Sequence, residues 1–205
     1  MVDFLVLVEG GGATRAEQAN LRKGFQTLFG RVLGSRRRPR VVCAGGRGQA
    51  FNDFCRAIEG SANNCLLLVD SEGPVSEAGS PWDHVARRAG DQWQRPSGAT
   101  DEQIHFMVEA MEAWLVADRD VLASYYGSEF NEKKLPRRPN LEECPKEDLT
   151  AALEAATKTA KTKGAYRKSH GFELVGKLDP TKIRTACPTH AVRFFAELEK
   201  CAGRP

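Results

Sequence analysis

The chain has 205 residues, of which 41% are hydrophobic and 28% charged, with a formal net charge of +3. These values suit one domain, or one domain with a sizeable extension, and exclude a disordered or fibrous polypeptide. No apolar run approaches the ~18 residues needed to cross a bilayer, and the start "MVDFLVLVEG" lacks the basic region of a signal peptide, so a membrane partner is not expected.

The elements read in chain order as follows. "VDFLVLV" (2–8) is a short apolar run with the character of a strand. Residues 14–34 place Leu21, Phe25, Leu28, Phe29 and Val32 at helical spacing, with Thr14 as N-cap and Glu17 three positions on. "PRVVCAGG" (39–46) predicts a second strand ending in glycines, and 48–60 a second helix with Phe51, Phe54, Cys55 and Ile58 on one face. "CLLLVD" (65–70) is the third strand, and 103–118 a fourth strand leading into a helix. Strands that are apolar throughout, separated by helices, predict an α/β fold with a parallel sheet covered on both faces. From residue 119 strand patterns disappear. Helices are expected over 119–127, 146–158, 179–188 (Asp179 as N-cap, Pro180 at the first helical position) and 189–202. The expected division is an α/β core over 1–118 and a helical extension over 119–205.

Cys43, Cys55, Cys65, Cys144, Cys187 and Cys201 form no C-x-x-C pair, and Cys43 and Cys65 lie inside apolar runs. That pattern fits reduced thiols in a cytoplasmic protein better than zinc ligands or a disulfide framework.

The chemistry concentrates at strand ends. Glu9 follows the first strand, and Asp70 and Glu72 follow the third. In a parallel sheet the carboxyl ends of the strands share one edge, where ligands bind. Residues i and i+2 of an extended segment point the same way, so Asp70 and Glu72 are expected to reach one ion. An all-oxygen set suits Mg²⁺ or Mn²⁺ rather than zinc. Glu109 and Glu112 lie three apart. If Glu109 opens a helix they share a face and offer a second metal-binding pair. The glycines of "EGGGATR" lack the spacing of a nucleotide-binding loop. "SRRRPR" (35–40) and "TKTAKTKGAYRKSH" (157–170) are basic runs that point to a polyanionic partner. In the second, Lys161, Lys163, Arg167, Lys168 and His170 are candidate phosphate contacts, and Tyr166 is a candidate for stacking on a base.

"VLVEGGGATR" followed by "LLLVDSEG" resembles the Toprim pattern of topoisomerases, primases and OLD-type nucleases, with Glu72 where that pattern has aspartate. Across nearly its full length the chain is also similar to the DUF4276 family, on "VEG", "LVDSEG", "HFMVEAMEAWLVAD", "LPRRPNLEECPKEDL", "ATKTAKTKGAYRKSHGFEL" and "LDPTKIRTACPTHAVRFF". The resemblance implies a Toprim-like parallel sheet sandwiched by helices. It also implies a Mg²⁺-dependent nuclease with catalytic Glu9, Asp70 and Glu72, as effector of a phage-defence system with an ATPase partner. The alternative is a non-catalytic Toprim-like module that binds nucleic acid or regulates the ATPase.

Overall fold

The computed structural model describes residues 4–12, 14–60, 64–76 and 78–203. Val2 and Asp3 of the expected first strand lie outside them. Strand β1 (Leu5–Val8) is flanked by β2 (Arg40–Cys43) and β3 (Cys65–Asp70), and β4 (Ile104–Met107) adds beyond β3. The order is β2-β1-β3-β4 and every pairing is parallel, with Val8 opposite Cys43 and Leu68, and Asp70 opposite Met107. The carboxyl ends of all four strands therefore share one edge.

Helix α1 (Arg15–Leu33) carries the chain from β1 to β2, and α2 (Arg47–Glu59) carries it from β2 to β3. Because these two connections run in opposite directions along the sheet, right-handed crossovers put the helices on opposite faces. The core divides accordingly. Val6, Val8, Leu66 and Leu68 pack with Leu21, Phe25, Leu28 and Phe29 of α1, whereas Leu7, Cys65, Leu67 and Val69 pack with Ala50 and Phe54 of α2. Every residue of β3 is buried, which is why its sequence does not alternate. The chain leaves β1 toward one side of the sheet and β3 toward the other. A crevice at the carboxyl ends of β1 and β3 follows from that divergence.

Thr14 and Glu17 form the expected capping box of α1. Helix α3 (Pro81–Arg87) was not expected; Ser80 caps it, with Asp83 completing a second capping box. The remaining helices are α4 (Glu112–Ala117), α5 (Arg119–Tyr126), α6 (Lys146–Thr157), α7 (Lys168–Leu174), α8 (Pro180–Ala186) and α9 (His190–Ala202). Asp179 caps α8 as expected. The N-terminus of α9 is served from a distance: the buried Glu142 carboxylate accepts the backbone N–H groups of Thr189, His190 and Ala191 at 2.9, 2.8 and 3.1 Å. Phe194 of α9 meets Phe29 of α1 with ring centroids 5.5 Å apart and Trp114 of α4 at 6.1 Å, so one apolar cluster runs from Val6 to Phe194. The architecture is α/β, a four-stranded parallel sheet between helices with a helical C-terminal part, and is consistent with the expected Toprim-like fold.

One local expectation fails. Glu109 does not open a helix, because the chain stays paired beyond β4. Ser71 N–H donates to Met107 O at 3.0 Å and Glu72 N–H to Glu109 O at 2.9 Å. Helix α4 begins only at Glu112.

Candidate metal centre

Glu9, immediately after β1, and Asp70, the last residue of β3, flank the crevice. Glu72 joins them: one carboxylate oxygen from each of the three lies within 4.8 Å of the others. The convergence is not the extended i, i+2 arrangement expected. Glu72 has φ 59°, a left-handed conformation uncommon for a residue with a side chain. That turn brings its carboxylate back over the strand end. Such strain, roughly 1–2 kcal/mol, persists where the surroundings enforce it and concentrates at functional sites.

Two cations hold the cluster. Arg47, first residue of α2, donates from Nη1 to Glu9 Oε2 at 2.8 Å and to the Asp70 carbonyl. Its Nε and Nη2 bind Asp91 in a fork, both at 2.7 Å, and its guanidinium lies 4.9 Å from the centre of the Trp93 ring. Asp91 also accepts from Arg88 at 2.9 Å. Lys146, first residue of α6, places Nζ 2.5 Å from Glu72 Oε1. Asp70 N–H donates to Glu9 Oε2 at 3.2 Å, and Asp70 Oδ1 accepts from Met111 N–H at 2.9 Å. Each carboxylate keeps one oxygen, Glu9 Oε1, Asp70 Oδ2 and Glu72 Oε2, that takes no hydrogen bond from the described residues.

The electrostatics are lopsided. Burial, then the charges of Glu9 and Glu112, push the Asp70 carboxyl up to about 8, against the opposing pull of Lys146 and Lys168. Burial would also raise Glu72, but the hydrogen bond and charge of Lys146, with Arg88 and Arg47, hold it below the usual carboxylate range. Asp70 thus lacks the counter-charge its neighbours have. A divalent cation is the group that would supply it, and an all-oxygen set of three acids fits a hard ion such as Mg²⁺ or Mn²⁺.

The model of DUF4276, a domain of unknown function, matches residues 8–199. The chain belongs to the DUF4276 family. No curated protein and no solved structure matches it.

The other residues expected at the site of this DUF4276 chain fall into three groups. Glu109 and Glu112 are buried but stand outside the three-carboxylate group. Glu109 Oε2 accepts the backbone N–H of Lys146 at 3.0 Å, at the positive end of α6. Glu112 Oε1 accepts from Tyr166 OH at 2.9 Å, while its Oε2 is buried without a partner among the described residues. Tyr166 and His170 are buried, contrary to a role on the surface. Arg167 Nε donates to His170 Nε2 at 3.0 Å and Tyr126 OH lies 2.9 Å from Nδ1, so both ring nitrogens are engaged. Burial and the Arg167 charge keep that imidazole below its ordinary pKa, hence neutral. Lys161 and Lys163 are partly committed, to Glu129 at 2.8 Å and Glu173 at 3.6 Å, and Lys163 also lies 4.4 Å over the Tyr125 ring. Lys168 is exposed and its charge acts on Asp70. The residues missed by sequence reasoning are Arg47, Asp91, Arg88 and Lys146. Arg47 had a signal, since it follows the end of β2 at the same edge as Glu9. Lys146 had none, because α6 reaches the cluster only through tertiary packing.

Proposed function

We propose that this protein is a Mg²⁺-dependent nuclease, able to use Mn²⁺, that hydrolyses phosphodiester bonds of DNA or RNA. The observation that carries the reading is the convergence of Glu9, Asp70 and Glu72 within 4.8 Å at the crevice between β1 and β3. Their oxygens without donors would hold the ion. A bound divalent ion activates water at neutral pH and offsets charge on the phosphoryl oxygens. The protein's own part is positional and electrostatic. Arg47, fixed by Asp91 and Trp93, holds Glu9 against the end of β3. Lys146 and Lys168 lower the repulsion that a phosphate meets beside three carboxylates. The exposed lysines of the 157–170 run extend the contact along a nucleic-acid backbone. The family resemblance adds an ATPase partner in phage defence, and the six free cysteines suit the cytoplasm.

A second reading has one observation in its favour. Arg47 and Lys146 already pair with Glu9 and Glu72, so much of the cluster's charge is balanced within the protein. On that reading the cluster is a scaffold that binds nucleic acid or a partner ATPase without cleaving.

The test compares wild type with Asp70→Asn on single- and double-stranded DNA and on RNA, with Mg²⁺, Mn²⁺ or chelator. The expected result is divalent-dependent cleavage that falls by orders of magnitude in Asp70→Asn, since the ion contributes several kcal/mol. Equal cleavage by both proteins overturns the site. No cleavage by wild type, with or without the partner ATPase, favours the scaffold.

A further inference from the structure

The charges around the cluster bear on how many ions it takes. Two-ion phosphoryl-transfer sites hold their ions about 3.5–4 Å apart and need carboxylates free on both sides of the pair. Here each outer carboxylate already has one oxygen engaged by a cation of the protein. Glu9 is bound by Arg47 at 2.8 Å, and Arg47 cannot swing away without breaking its fork to Asp91. Glu72 is bound by Lys146 at 2.5 Å. Glu109 is spent on the backbone of α6. Asp70, the most deeply buried of the three clustered carboxylates, has no ion pair among the described residues, and buried Glu112, whose charge acts on it, has Oε2 without a hydrogen-bond donor among those residues. With Arg47 paired to Glu9 and Lys146 to Glu72, the negative charge left around Asp70 and Glu112 matches one divalent ion rather than two.

We propose that the site takes a single divalent ion, and that the Lys146 ammonium supplies the charge that a second ion supplies in two-ion sites. This rests on the metal-dependent reading above. Lys146 suits the role because it is half-buried beside Glu72, its charge reaches Asp70 and Glu112, and it sits at the start of a helix. Packing of α6 therefore fixes the point from which its side chain reaches Glu72.

The experiment is a calorimetric titration of the full chain with Mn²⁺, backed by electron paramagnetic resonance, which distinguishes an isolated Mn²⁺ from a spin-coupled pair. Wild type is expected to bind one ion with no coupled-pair signal. Asp70→Asn is expected to weaken that ion by more than the ~10–100-fold that loss of an outer partner costs. Lys146→Arg, which keeps the charge, is expected to retain one ion, and Lys146→Met to admit a second. Two ions of similar affinity in wild type overturn the inference and leave the metal-dependent reading standing. No ion in wild type overturns both. One ion in a folded Lys146→Met protein overturns the role given to Lys146. The wild-type titration decides the stoichiometry even if that variant does not fold.

Discussion

Lys146 Nζ lies 2.5 Å from Glu72 Oε1, and this contact joins the start of α6 to the strained turn after β3. It ties the helical C-terminal half of the chain to the carboxylate cluster at the sheet edge. Both side chains are 22% exposed, so solvent screens the pair only in part. An ion pair of this kind contributes up to about 1 kcal/mol. Its acid limb follows from the sign of the Glu72 shift. The folded-state carboxyl lies below its ordinary value of 4.5, so the stabilisation is present above that pH and is lost as pH falls through the lowered value. Glu72→Gln is expected to lower stability by about 0.5–1 kcal/mol at neutral pH and to flatten the loss below pH 4.5, as read by urea unfolding across a pH series. An unchanged acid limb would show that Glu72 carries no such linkage.

Asp70 has the opposite sign. Its folded-state value, about 8, lies far above the ordinary 3.8, so the native state keeps a proton that the unfolded chain releases. Stability is expected to fall as pH rises across that window. Asp70→Asn removes the dependence and is expected to stabilise the metal-free protein at pH 8 by at least about 1.4 kcal/mol, the equivalent of one pKa unit. Mg²⁺ competes with that proton, so its stabilising effect on wild type should grow as pH rises toward 8. Thermal melts with and without Mg²⁺ at pH 5 and pH 8 measure both effects. A variant less stable than wild type at pH 8 would contradict the argument.

The sheet and this carboxylate pair were legible for the same reason. Apolar runs mark buried parallel strands, and topology puts whatever follows them at one edge, so Glu9 and Asp70 could be assigned without coordinates. Thr14 with Glu17 and Asp179 with Pro180 announced their helices through local capping chemistry. Ser80, Pro81 and Asp83 carried the same kind of signature for α3, but its seven residues are too few to show a periodicity. Helix α7 was hidden by Gly171. A Cβ there would lie 2.9 Å from Met111 Cε, so close packing demands a residue that local propensity disfavours in a helix. The left-handed turn at Glu72 and the arrival of Lys146 depend on contacts between distant segments, and no nearby residue type encodes them.

Tyr166 and Glu112 form a buried pair whose cost is one-sided. Tyr166 OH donates to Glu112 Oε1 at 2.9 Å, and the other oxygen already lacks a donor. Tyr166→Phe leaves the carboxylate with neither oxygen served and is expected to cost about 1–3 kcal/mol. Glu112→Gln on top of it removes the stranded charge and should recover part of that loss. A double-mutant cycle by chemical denaturation reads the coupling. Additive effects would mean that the hydrogen bond has no energetic role.

The basic run from 157 to 170 divides by what its residues already hold. Lys161 has Glu129 at 2.8 Å and Lys163 has Glu173 at 3.6 Å and the Tyr125 ring, whereas Lys168 is exposed at the start of α7 with its charge acting on Asp70. Of these three lysines, Lys168 is the one whose charge reaches the cluster. Charge reversal at Lys168 is expected to weaken nucleic-acid binding more than charge reversal at Lys161. It should also reduce the slope of log affinity against log salt by about one unit for the lost contact. Fluorescence anisotropy with labelled single-stranded DNA, over a salt series and with Ca²⁺ in place of Mg²⁺ to suppress cleavage, compares the two. Lys161→Glu serves as the control for a general change in surface charge. Identical slopes for wild type and Lys168→Glu would remove Lys168 from the contact surface, and a larger loss in Lys161→Glu would move that surface toward the Glu129 side.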